Sequence, residues 1–253
     1  MAGHSKWANI KYRKERQDKK RSGVFAKLIK EITLQARNGD PNPENNAGLA
    51  QALERAKAAN LPKDNIERAI KRATGELEGV TYEEMTYEGY ATDGVAVLVR
   101  TVTDNKNRAA ASVRHIFSKY GGNMASAGSV AWLFERRGVV AISDLPEGLD
   151  LDELELSLIE AGAEELDDQG DTVEAICDPE NLTTLSEAVR AVGLSPMRAE
   201  VTMLPKNTIE LGKESAGKVL RLIEALDEND DVQEVFANFD IPDEILEKLN
   251  ADG

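Results

Sequence analysis

Cysteine and histidine are almost missing from this 253-residue chain, which has one cysteine, Cys177, and two histidines, His4 and His115. A lone thiol closes no internal disulfide, and so sparse a set cannot furnish a Cys/His zinc site. Aromatic residues make up only 5%. No run of eighteen apolar residues occurs, which excludes a membrane-spanning helix. The first residues contain no apolar signal-peptide core, so a reducing cytoplasm is expected rather than secretion. The catalytic inventory is thin too. Neither histidine stands near a recognisable nucleophile motif, and Cys177, near the end of a predicted strand, reads as a small core residue. The glycine-rich stretch 121–128 lacks the Lys-Ser/Thr of a P-loop. Acid pairs such as Glu83-Glu84 and Asp152-Glu153 read as solvated faces. No catalytic residue, cofactor or metal is expected.

What the chain does have is charge, unevenly spread. The formal net charge is −15. Residues 1–72 nevertheless hold 17 basic and 8 acidic side chains, a net +9, whereas residues 73–253 hold 14 and 38, a net −24. The first thirty residues alone carry ten Lys/Arg and two acids. Lys6, Lys11, Arg13, Lys14, Arg16, Lys19, Lys20 and Arg21 crowd together, with Trp7 and Tyr12 among them. Cations place counter-charge along a phosphate backbone, and aromatic rings stack on bases. Residues 1–21 therefore read as a basic nucleic-acid arm, though Trp7 and Tyr12 could equally pack against the protein itself.

Apolar spacing predicts three short helices after the arm, over about 24–38, 44–60 and 63–74. Gly39, the Asp40-Pro41-Asn42-Pro43 turn and Leu61-Pro62 separate them, and Gly75 ends the third. They form a bundle over 22–78. From residue 80 the period changes to strands at 82–90 and 95–102, a helix over 105–120 and a third strand at 129–134. Residues 138–206 then follow the order βαββαβ of a ferredoxin-like unit, with 3 basic and 17 acidic side chains. A helix at 213–228 and a strand at 232–238 supply the half that 79–137 lacks. The fold class is thus multidomain α+β. It comprises an N-terminal three-helix bundle and two ferredoxin-like domains, the second (138–206) inserted into the first (79–137 plus 207–245). Consecutive units without insertion remain the alternative from periodicity alone.

Several stretches in order resemble the YebC/PmpR family of bacterial regulatory proteins, related to the mitochondrial translational activator of cytochrome oxidase subunit one. They are Ala2-Gly-His-Ser-Lys-Trp-Ala-Asn-Ile-Lys11, Phe25-Ala-Lys-Leu-Ile-Lys-Glu-Ile32, and Asn60-Leu-Pro-Lys-Asp-Asn-Ile-Glu-Arg-Ala-Ile70. Tyr87-Glu-Gly-Tyr90, Thr103-Asp-Asn-Lys-Asn-Arg108, Gly128-Ser-Val130 and Asp230-Asp-Val-Gln-Glu-Val235 follow. The resemblance implies three domains with the last inserted into the second, and a cytoplasmic, non-enzymatic role. Members are described as DNA-binding transcriptional regulators. Others are described as ribosome-associated translation factors that relieve stalling at proline-rich sequences.

Beyond the arm, Lys63 with Arg68, Lys71 and Arg72 extends the positive charge along the third helix, although Asn60–Asn65 also makes sense as a helix joint. Lys106, Arg108 and Arg114 cluster at the start of the 105–120 helix, where capping by Asn105 or Asn107 and a phosphate contact both fit. No helix-turn-helix spacing or leucine zipper is visible. Expected partners are therefore DNA or ribosomal RNA at the cationic sites, and a basic protein at the acidic domain.

Overall fold

The computed structural model describes residues 21–143, 145–146, 148–168, 172–242 and 244–246. They fall into two compact units, one of residues 21–131, 211–237 and 244–246, the other of 132–210 and 238–242.

In the first unit, helices α1 (Arg21–Asn38), α2 (Ala47–Ala58) and α3 (Lys63–Ala73) bury the small and branched residues that their spacing predicts. Ile32, Ala36, Leu49, Ala52, Ala56, Leu61 and Ala69 form that core. Asn46 starts α2 by accepting the Leu49 N–H at 3.0 Å, and its amide donates to the Gln35 and Asp40 carbonyls at 2.9 Å, which fixes the α1–α2 turn. The second helix begins later than its spacing predicts because Pro43–Asn45 forms a separate 3-10 turn.

The same unit contains a four-stranded sheet of β1 (Glu83–Tyr90), β2 (Ala96–Thr103), β3 (Asn123–Met124) and β9 (Val232–Ala237). Its order is β3-β1-β2-β9, and every neighbouring pair is antiparallel. Helices α4 (Lys106–Lys119) and α7 (Lys213–Asp227) pack on it through buried Ala109, Val113, Phe117, Val219, Leu222 and Leu226. The bundle and this sheet lie in one compact unit, where ion pairs from α1 and α2 reach β2 and β9.

The strand expected at 129–134 is not there. Gly128, Val130 and Ala131 instead give their N–H groups to the Glu88 carboxylate at 2.6, 2.6 and 2.9 Å. Donors turned onto one carboxylate cannot also pair with a neighbouring strand. A 3-10 turn, Ala131–Leu133, follows.

The second unit runs β4 (Phe134–Ser143), α5 (Leu151–Glu160), β5 (Ala163–Asp168), β6 (Thr172–Cys177), α6 (Leu182–Ala191) and β7 (Pro196–Pro205). This βαββαβ order makes an antiparallel sheet β5-β6-β4-β7, the ferredoxin-like arrangement. Val140, Ile142, Leu154, Leu158, Ala175, Cys177, Leu185 and Val189 fill the layer between sheet and helices. Burial raises the Cys177 thiol pKa, as suits a packing residue. A short parallel pair, β8 (Ile209–Glu210) with β10 (Phe239–Asp240), belongs to the same unit. The β4–β7 ladder begins at Phe134↔Pro205, so the unit starts several residues before 138, the boundary that the charge and strand pattern indicated.

Candidate nucleic-acid interface

Lys6, Trp7, Lys11, Tyr12, Arg13, Lys14, Arg16, Lys19 and Lys20 lie outside the described residues, and Arg21 opens α1. The remaining candidates sit on two helices of the first unit. On α3, Lys63, Arg68, Lys71 and Arg72 are exposed, and Lys63 meets Glu67 at 3.9 Å. On α4 the sequence Lys106-Asn-Arg-Ala-Ala-Ala-Ser-Val-Arg-His-Ile-Phe-Ser-Lys119 contains four Lys/Arg and a histidine but no acid. Its inner side is apolar, so Lys106, Arg108, Arg114, His115 and Lys119 all face solvent.

These α4 cations are not equivalent. Asn105 caps the helix by accepting the Arg108 N–H at 3.0 Å. Lys106 pairs with Glu83 at 2.6 Å. The Arg108 guanidinium is held by Asp104 at 2.7 Å and by Asp231 at 2.9 Å. Arg114 and His115, nearly two turns further on, are exposed, and Lys119 lies 5.3 Å from the Tyr120 ring centroid. Arg114 and Lys119 are thus more available to a phosphate than Arg108.

Asp231 organises the inner end of this cationic helix. It is 5% exposed and accepts from Lys30 at 2.9 Å as well as from Arg108. Burial alone would raise its pKa, but the Lys30 and Arg108 hydrogen bonds prevail and hold it below the ordinary aspartate value. Lys30 also donates to the Asp230 carbonyl at 2.8 Å, and Lys27 donates to the Asp227 carbonyl at the last residue of α7. Both lysines therefore compensate carbonyls at or beyond the negative end of a helix.

A second cluster surrounds Arg100. Its Nη atoms meet both Glu31 oxygens at 3.0 Å, Glu84 at 2.8 Å and Glu234 at 3.4 Å, and Arg55 reaches Glu234 at 3.2 Å. Burial disfavours the guanidinium charge, but the Glu31, Glu84 and Glu234 carboxylates outweigh it and raise the Arg100 pKa. Sequence reasoning missed this cluster. The available signal was Arg100 itself, the one charge inside the apolar run Val95–Val102, since a buried cation requires partners.

Glu88 is a further buried charge of the first unit. Burial acts to raise its pKa, and the backbone N–H groups of the 128–131 loop lower it below the ordinary glutamate value. Tyr90 donates to the Ser129 carbonyl at 3.1 Å, so the Gly128–Val130 loop is anchored to the Tyr87–Tyr90 end of β1. A Cβ on Gly89 would lie 2.6 Å from the Phe117 ring and 2.7 Å from the Asn123 carbonyl oxygen.

These features define a multidomain α+β protein with an acidic antiparallel unit and an acid-free basic helix on its other unit. Family models for the TACO1/YebC protein N-terminal domain and for the TACO1/YebC second and third domain match residues 5–76 and 82–239. The chain belongs to the TACO1/YebC family. It is 52% identical over 249 residues to a protein of Thermotoga maritima, covering 98% of each chain. It is 51% identical over 250 residues to one of Dictyoglomus turgidum, covering 99% of this chain and 100% of that one. Both relatives bear the name "Probable transcriptional regulatory protein". The crystal structure of a conserved hypothetical protein from Aquifex aeolicus is similar, with a TM-score of 0.79 and 45% identity over 90% of this chain and 94% of that one. Among the described residues, no helix is long and apolar enough to cross a membrane, and no three His, Cys, Asp or Glu are grouped to hold a metal ion.

Proposed function

We propose that this protein is a non-enzymatic, cytoplasmic nucleic-acid-binding regulator of gene expression, in the first place a DNA-binding transcriptional regulator. The observation that carries the reading is the segregation of charge. Residues 1–72 hold a net +9, and α4 is basic without an acid, in a chain of net −15. A polyanion is drawn to the basic N-terminal stretch and to α4, and is repelled by the acidic unit. Lys6, Lys11, Arg13, Lys14, Arg16, Lys19, Lys20 and Arg21 supply phosphate contacts, and Trp7 and Tyr12 stack on bases. Lys63, Lys106, Arg114 and Lys119 add cations from helices whose positions are fixed by packing. A phosphate at Arg108 would compete with two carboxylates.

Salt-dependent titration of labelled duplex DNA against excess random duplex tests this. Operator-selective binding should exceed non-specific binding by roughly 10³ or more. A second reading, binding of ribosomal RNA in relief of stalling at proline-rich sequences, is favoured by the spread of cations over the arm, α3 and α4. That spread suits a broad folded surface better than one groove. Co-sedimentation with ribosomes at moderate salt, without operator-selective DNA binding, would replace the first reading by the second.

The acidic unit adds a protein partner to the proposal. Helix α5 exposes Leu151, Leu156 and Ile159 among Asp152, Glu153, Glu155 and Glu160. That face complements a basic segment with apolar residues of its own.

A further inference from the structure

Trp132 is 64% exposed, the most exposed large hydrophobic side chain of the described residues together with Leu156. Tryptophan offers more apolar surface than any other residue, and folding ordinarily covers most of it. The backbone beside it is fixed. Phe134, two residues on, is 5% exposed, and the Leu133 carbonyl accepts the Lys206 N–H at 2.8 Å where β7 has just ended. The indole therefore stands on a rigid turn.

The few cations of its unit are concentrated at its end, where Glu135, three residues after Trp132, is exposed as well. Residues 132–210 contain 19 acids and only five Lys/Arg: Arg136, Arg137, Arg190, Arg198 and Lys206. Two of the five are used internally. Arg137 meets Glu164 and Asp178, and Arg198 meets the fully buried Glu174 at 2.7 Å. Of the other three, Arg136 lies four residues after Trp132 on β4, opposite Met203, and Lys206 is joined to Leu133 by its backbone. Both are exposed. The acidic unit thus places two of its three remaining cations at the end that presents its exposed indole.

We infer that Trp132 is a stacking platform for an unpaired nucleobase, with Arg136 and Lys206 taking the flanking phosphates. An exposed aromatic face with exposed cations at the same end of the unit suits single strands, because every base has a π-face and a duplex keeps its bases stacked inside. A purely hydrophobic protein contact would need no exposed cations at that end. The inference rests on the nucleic-acid reading above but assigns a site separate from the basic arm, α3 and α4.

The full-length chain has two tryptophans, so Trp7→Phe leaves Trp132 as the sole indole reporter. That variant is titrated with a mixed-sequence RNA of about twelve nucleotides, the DNA strand of the same sequence, and its blunt duplex. Single strands should quench the indole saturably, and the duplex should not. In the otherwise native chain, Trp132→Ala should weaken single-strand binding by roughly five- to a hundredfold, the range measured for loss of one stacked base. Trp132→Phe should recover part of it, and duplex affinity should stay unchanged. Equal effects on RNA and DNA identify recognition of the base alone, and an effect confined to RNA adds a 2′-hydroxyl contact. An unchanged thermal transition confirms that Trp132→Ala folds.

Single-strand binding without quenching, or native single-strand affinity in Trp132→Ala, overturns the inference while leaving the arm-centred reading intact. Tight binding of a protein that disappears in Trp132→Ala, with nucleic-acid binding unchanged, assigns the surface to protein instead and also overturns it. A native chain that binds no nucleic acid overturns both readings.

Discussion

Replacing Asp231 by asparagine should loosen the first unit by an amount the geometry sets. The carboxylate is 5% exposed and joins Lys30, whose side chain is 14% exposed, to Arg108, which is half exposed. Removing one member of a buried pair costs about 3–5 kcal/mol, because the other charge stays desolvated. That penalty falls mainly on Lys30, since Arg108 keeps Asp104 and regains water. Asparagine still offers one acceptor, so about 3 kcal/mol is expected. For a protein of this size the melting temperature should fall by about 6–12 °C. Lys30→Met removes the stranded cation, so the double variant should be more stable than the sum of the two single effects predicts by about 1 kcal/mol or more. The native Asp231 pKa is depressed, so its contribution is complete above the ordinary value of 3.8 and is lost as pH falls through the lower native value. The gap between the native chain and Asp231→Asn should therefore close in acid. A shift under about 2 °C, or additivity within about 0.5 kcal/mol in the cycle, would refute the bridge.

Replacing Lys11, Arg13, Lys14, Arg16, Lys19, Lys20 and Arg21 by glutamine should weaken duplex-DNA binding and reduce the log–log salt slope by roughly 0.9 for each phosphate no longer neutralised. An unchanged slope counts against the arm. On the ribosomal reading, Arg114→Glu, which disturbs none of the ion pairs described, should lower affinity for ribosomes more than for duplex DNA, with an unaltered circular dichroism spectrum. Glu88→Gln turns an amide onto three N–H donors and should cost about 2–3 kcal/mol in urea unfolding at neutral pH. The Glu88 pKa is lowered by the same donors, so this loss is full above the ordinary value of 4.5 and fades as pH falls through the lower native value. Gly89→Ala should destabilise by about 1–3 kcal/mol, because neither the Phe117 ring nor the Asn123 carbonyl can yield the space. An alanine variant as stable as the native chain would show that the close approach is relieved cheaply.

Local signals carried much of this fold. The apolar run at 95–102 became β2, the spacing of Ala109, Val113 and Phe117 gave α4, and Asn105 caps it as its residue type suggests. The order βαββαβ was legible because each element of the second unit has its own period and turn. What failed was non-local. Ser129–Phe134 has strand-like residues, but Glu88, about forty positions earlier, takes the N–H groups that a strand would use. Lys27 and Lys30 look like a continuation of the basic arm, yet both are used on α7 and the turn beyond it. The cations of the candidate interface were legible one by one. Which of them already hold a carboxylate depends on chain segments that no local pattern connects.

The pairing of Lys30 with Asp231 spans 201 residues, and β9, the outer neighbour of β2, comes from the same late segment. The order of synthesis therefore matters. At about 5–20 residues per second, roughly 10–40 s separate the emergence of α1 from that of its carboxylate partner. All four strands of the acidic unit's main sheet emerge within that interval, whereas the first unit waits for its last strand. A nascent chain halted before residue 231 would display Lys30 without its carboxylate, Arg108 with Asp104 alone, and an unpaired edge of β2. The part of the molecule made first is thus the part that finishes folding last.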